Sequence, residues 1–118
     1  MKPYIALAAV VACSGPSVES QITITEGVYG LLDNAQGLAM GNADVYAFGP
    51  QGQSDPLGSG VSNRDGVYQI GVVGEFWLCV SSSCTNAIVN VPAGTLVRYD
   101  WTANGPDGGQ WWSYSTAP

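Results

Sequence analysis

Histidine does not occur anywhere in the 118 residues. That removes the commonest general base near neutral pH and the commonest transition-metal ligand. A Ser-His-Asp triad, a Cys-His pair and a His-ligated zinc or iron site are thereby excluded, and only carboxylate chemistry stays open. Charge is also scarce: 10% of residues are Asp, Glu, Lys or Arg, against about a quarter in ordinary domains. Lysine occurs once, at Lys2. From Cys13 onward Arg64 and Arg98 stand against nine acids, a side-chain charge of −7. Such a chain has no basic patch to neutralise a phosphate backbone, so nucleic acid is not expected as a partner; its charge serves mainly solubility. No apolar run is long enough to cross a bilayer as a helix. Outside the first dozen residues no ten-residue stretch carries a helical period.

What replaces charge is Gly (16), Pro (7) and many Ser and Thr, the mixture of short strands joined by tight turns. The length allows one domain. Apolar residues recur every second position almost throughout, the mark of strands. Ile22 and Ile24 alternate with Thr23 and Thr25, and Val28, Gly30 and Leu32 extend the pattern, predicting one long or bent strand over 21–33. Asp33–Gly37 and Gly41-Asn42 are turn chemistry, and Ala43, Val45 and Ala47 then alternate with Asp44, Tyr46 and Phe48. Gly49–Gly58 reads as an exposed loop, and 59–62 and 67–70 as strands around Asn63-Arg64-Asp65-Gly66, a hairpin signal. Residues 75–80 and 86–91 flank a serine-rich turn, Pro92–Gly94 turns again, and 95–102 is the last clear strand. The expectation is an all-β, seven-stranded antiparallel sandwich over 21–102, with a Gly/Trp-rich tail at 103–118.

The N-terminus reads as a leader. Met1-Lys2-Pro3-Tyr4 precedes an apolar run, and Val10-Val11-Ala12-Cys13 is similar to the lipobox of bacterial lipoproteins. On that reading 1–12 is a signal peptide, Cys13 carries lipid and 13–20 is a polar tether. An ordinary cleaved signal, or an apolar strand retained in the mature fold, are the alternatives. Cysteine arithmetic agrees with export: once lipid takes Cys13, Cys79 and Cys84 are left as a pair. A disulfide closing so short a loop contributes roughly 2 kcal/mol. Four intervening residues do not match Cys-x-x-Cys redox motifs, so a structural bridge is expected.

Val28-Tyr29-Gly30-Leu31-Leu32-Asp33, then Gly37 and Gly41-Asn42-Ala43-Asp44-Val45, resembles the opening of carboxypeptidase regulatory-like domains, which have a transthyretin-like (prealbumin-like) sandwich. The family runs V-x-G-x-V-x-D-x-x-G-x-P-L-x-G-A-x-V, followed by a T-D-x-D-G-x-Y hairpin. Ser62-Asn63-Arg64-Asp65-Gly66-Val67-Tyr68 matches that hairpin, and Gly74-Glu75-Phe76-Trp77-Leu78 stands where the family has P-G-x-Y-x-L. Leu38-Ala39-Met40 departs from the proline-leucine of the pattern. The resemblance covers about 27–102. It implies positive φ at Gly37 and Gly66, a Tyr68 that caps the core, and a role as an accessory, adhesin or surface module; the motifs speak to fold, not to an active site.

Among candidate sites, Asp33, Asn34, Asp44, Asn63 and Asp65 carry oxygens suited to Ca²⁺, but without EF-hand spacing turn formation accounts for them. No pair of acids is held as glycosidase chemistry requires. No catalytic residue, metal or cofactor is therefore expected. Trp77 is expected in or near the core; Tyr99 and Trp101 share one face of the last strand, with Arg98, Asp100 and Thr102 on the other. Adjacent Trp111 and Trp112 in an extended segment cannot enter one core together, so Trp111, Trp112 and Tyr114 are the candidate contact residues. The competing reading is a tail that folds back over an open sheet edge. The function expected is that of a non-catalytic structural or protein-interaction module at a bacterial surface, in the periplasm or secreted. Its partner would be protein or further copies of itself in a surface assembly or filament, and it would meet membrane only through a lipid anchor. The alternative is a carbohydrate-binding module that stacks polysaccharide on those aromatics.

Overall fold

The computed structural model describes residues 17–51, 55–103 and 109–114. The leader, Cys13 and the first part of the tether lie outside the described residues. Nine strands occur in order: β1 Gly27–Asp33, β2 Asp44–Phe48, β3 Gly58–Val61, β4 Val67–Ile70, β5 Gly74–Val80, β6 Ser83–Cys84, β7 Val89–Val91, β8 Leu96–Ala103 and β9 Gly109–Tyr114. They form two packed sheets. The first has the order β4-β1-β8-β9; the second has β3-β2-β5-β6, with β7 pairing β5. No helix among the described residues is long and apolar enough to cross a membrane.

Alternation decides which side chains meet between the sheets. Val28 and Leu32 of β1, Tyr68 and Ile70 of β4 and Trp101 of β8 face Val45 and Ala47 of β2, Phe76, Leu78 and Val80 of β5, and Val89 and Val91 of β7. At the centre lies a contact that only glycine permits. Gly30 pairs with Tyr68, and the fully buried Tyr68 ring crosses it so that Tyr68 Oη donates to the Tyr99 carbonyl at 2.5 Å. A Cβ on Gly30 would lie 1.8 Å from that oxygen.

The turns follow the expected chemistry. Gly37 and Gly66 have φ of +83° and +80°, a region glycine enters freely. Asn34 Oδ1 accepts from the Gln36 and Leu38 amides, and Asn63 Oδ1 from those of Asp65 and Val67. Gly41 lies tight against the backbone of Asn63 and Arg64, and buried Ser62 bridges the Ala43 amide and the Met40 carbonyl.

Several expectations change. The sheets are not wholly antiparallel, because β1 pairs β8 in parallel, Val28 opposite Val97 and Asp33 opposite Thr102. The strand expected over 21–33 begins only at Gly27. Before it a 3-10 turn at Glu19–Gln21 leads to amides of Thr23 and Ile24 that bond the Gln69 side chain instead of a strand. The strand expected over 86–91 is shortened to β7 at Val89–Val91, and the two-residue β6 lies within the stretch expected as a turn. Asp65-Gly66 makes its turn, but β3 and β4 then enter different sheets. Trp77 is not in the core: Phe76 and Leu78 take the inward positions of β5, leaving Trp77 half-buried on the outer face. The described part of the tail, Gly109–Tyr114, is itself a strand of the first sheet.

Candidate interaction surfaces

The C-terminal aromatics are placed by the β8–β9 ladder, in which Trp101 stands opposite Trp111 and Asp100 opposite Trp112. Successive residues of a strand face opposite ways, so the two tryptophans separate. Trp111 turns inward. It meets Tyr68 edge-on at 6.3 Å between ring centroids, and its Nε1–H donates to the Ser83 carbonyl at 3.0 Å. Trp112 turns outward and keeps 48% of its surface exposed. Tyr114 is opposite Arg98 in the ladder. Trp112 and Gln110 thus share the outer face with Asp100 and Thr102.

Much of that face is covered farther along. Residues 17–26 cross it as a strap, held where Gln69 Oε1 accepts from the Thr23 and Ile24 amides and where Asn63 Nδ2 donates to Gln21 Oε1 at 2.7 Å. Beneath the strap Arg98 forms ion pairs with Glu19 at 2.6 Å and Asp100 at 3.0 Å. Burial opposes the Arg98 charge, but the hydrogen bonds that Arg98 donates to Asp100 and Glu19 outweigh it and raise its pKa. Burial likewise opposes ionisation of Glu19, yet its backbone hydrogen bond and Arg98 bring the carboxyl below its ordinary value. Asp100 spends one oxygen on the Leu31 amide as well as on Arg98, bridging β8 to β1. Asp33 has a carboxyl raised by burial and then by the neighbouring Asp100 charge.

A second aromatic surface was missed in the sequence. On the outer face of the second sheet Tyr46 and Phe48 lie 6.0 Å apart, and Phe48 is opposite Trp77. All three are half-buried. Exposed Val61 lies on β3 of the same sheet, with exposed Leu57 just before that strand. The signal was present: Val45 and Ala47 inward require Tyr46 and Phe48 outward, and Phe76 and Leu78 inward require the same of Trp77.

The disulfide joins Cys79 and Cys84, which are direct partners across β5 and β6. Ser81, at φ 56°, makes the turn between them. Of the oxygens considered for calcium, those of Asn34 and Asn63 accept from turn amides, and no group of three His, Cys, Asp or Glu side chains among the described residues is arranged to hold a metal ion. What the surfaces offer chemically is aromatic stacking and strand pairing along the edge of β9, which pairs with β8 on one side and with no strand on the other among the described residues. No family model matches the chain, and no match was found among curated proteins or solved structures.

Proposed function

We propose that this chain is a non-catalytic structural or protein-interaction module of the carboxypeptidase regulatory-like, transthyretin-like type, exported to a bacterial surface and held there by lipid on Cys13. The position of Trp112 carries the reading. A large apolar ring kept half in water on the terminal strand of a sheet is the arrangement of a contact residue, whereas Trp111 beside it is consumed by packing. The unpaired side of β9 adds backbone groups through which another strand can join, from a protein partner or a second copy. Sedimentation across a wide concentration range, together with the mass of the protein in native material, tests this. The wild type should enter larger species and Trp112→Ala should not, at unchanged melting temperature. A wild type that stays monomeric at high concentration and in native material would remove the self-assembling form of the proposal.

A second reading has its own support. Trp112 lies opposite Asp100 and beside Gln110 and Thr102, a ring flanked by hydrogen-bonding groups as sugar recognition uses. A polysaccharide panel should then shift tryptophan emission in the wild type and not in Trp112→Ala; silence across the panel would count against it.

A further inference from the structure

Ser83 is the meeting point of the two sheets at one side of the sandwich. Its Oγ accepts from Trp101 Nε1 at 3.0 Å and donates to the Gly109 carbonyl at 3.2 Å. Its own carbonyl accepts from Trp111 Nε1 at 3.0 Å. Trp101 belongs to β8, and Gly109 and Trp111 to β9, so one residue of the second sheet holds the last strand of the first. The fit is close: a Cβ on Gly109 would lie 2.2 Å from the Trp101 indole.

Ser83 is itself held by very little. Strand β6 is two residues long, and its pairing with β5 consists of Cys79 opposite Cys84 and Val80 opposite Ser83. The turn before it runs through Ser81, a non-glycine residue at positive φ, a conformation that costs about 1 kcal/mol or more. The disulfide therefore closes the loop that presents Ser83, next to that residue on the chain. On the far side Thr85 bonds Leu78, which fixes the chain after Cys84 but not the loop itself.

We infer that the Cys79–Cys84 disulfide is a redox-sensitive latch on β9: oxidised, it fixes Ser83 where it receives both indoles, and reduced, it lets β9 leave the edge of β8 while the rest of the sandwich stays folded. The reductant is a dithiol. Its thiolate attacks the sulfur of Cys84, the exposed partner, forming a mixed disulfide and expelling the thiolate of Cys79, which is buried. The second thiol then displaces Cys84 and the reagent leaves as a cyclic disulfide. Two electrons pass to the protein, and both cysteines end as thiols after taking up protons. The latch acts on β9 whatever β9 contacts, so it stands apart from the function proposed above.

Residue-resolved hydrogen exchange on the full chain, oxidised and after dithiothreitol, tests it, with free thiols counted by mass. Reduction should speed exchange of the β9 amides about tenfold or more, with β1, β2 and β5 changing little, and should shift tryptophan emission to the red. Unchanged β9 exchange with both thiols free overturns the latch. So does an equal loss of protection throughout, because the disulfide would then hold the whole sandwich and not one strand. Ser83→Ala, studied oxidised, separates the latch from general stabilisation. Losing the Oγ bonds should speed β9 exchange about fivefold with the disulfide intact, and no change there would break the proposed link through Ser83.

Discussion

Gly30 and Tyr68 work as one device. The ring needs the missing side chain of Gly30 to reach the Tyr99 carbonyl, and that carbonyl faces the ring across the β1–β8 seam. A methyl group at position 30 would meet backbone oxygen, which has no room to give way. Gly30→Ala should therefore destabilise by about 3 kcal/mol or more, or prevent folding, as urea unfolding would register. Asp33 makes a different residue-scale case. Its folded pKa is raised by burial and by Asp100, so the ionised carboxylate costs stability. Below the unfolded value near 3.8 both states are protonated and nothing is lost; the cost grows as pH rises toward the folded value and is constant above it. Asp33→Asn should consequently melt higher than the wild type at pH 7, with the advantage shrinking as pH is lowered through 4. Equal melting temperatures at both pH values would show that the ionised Asp33 carboxylate carries no such cost.

At the scale of elements, the strap and the last strand matter most. Residues 22–25 alternate like a strand, but they do not lengthen β1, which begins at Gly27 between β4 and β8. Their amides turn to Gln69, and Glu19 seals the Arg98 side chain beneath them. Gln69→Leu deletes the acceptor of two backbone donors. Limited proteolysis should then cut within 17–26 several times faster, with the melting temperature lowered by the equivalent of about 1 kcal/mol. A strap as resistant as the wild type would place its anchoring in the Glu19–Arg98 pair instead. Strand β9 shows how much of the candidate surface was legible: two adjacent tryptophans required opposite faces, and Trp112 is indeed outward. Which of them would be buried depended on Tyr68 and Ser83, residues about 43 and 28 positions away in sequence, and no local pattern reports such partners.

At the scale of the molecule, the two sheets approach along both sides. On one side β3 comes against β4, where a Cβ on Gly60 would lie 2.6 Å from the Gln69 carbonyl. On the other, β6 meets β9 through Ser83. The central pairing, β1 with β8, joins the first strand to the eighth in parallel. Loop closure on that scale must be completed before the contact rewards it. Refolding should accordingly occur on the millisecond-to-second scale typical of sandwiches, measurable by tryptophan fluorescence in stopped flow. Refolding in microseconds would mean that local hairpins, not the β1–β8 seam, form the nucleus.

From the sequence alone came the class of structure, most strand positions, the turns at Gly37, Gly66 and Pro92–Gly94, and the pairing of Cys79 with Cys84. These are local properties: a period of two states which side chains share a face, and turn residues state where the chain reverses. The tertiary structure alone decided that β1 and β8 run parallel, that 109–114 completes a sheet, that 17–26 is a strap, and that β2 pairs β5 so that Phe48 comes beside Trp77. Every strand edge offers the same amides and carbonyls, so periodicity names the faces of a strand but not its neighbours. The neighbours are chosen by how the whole set of side chains packs between two sheets.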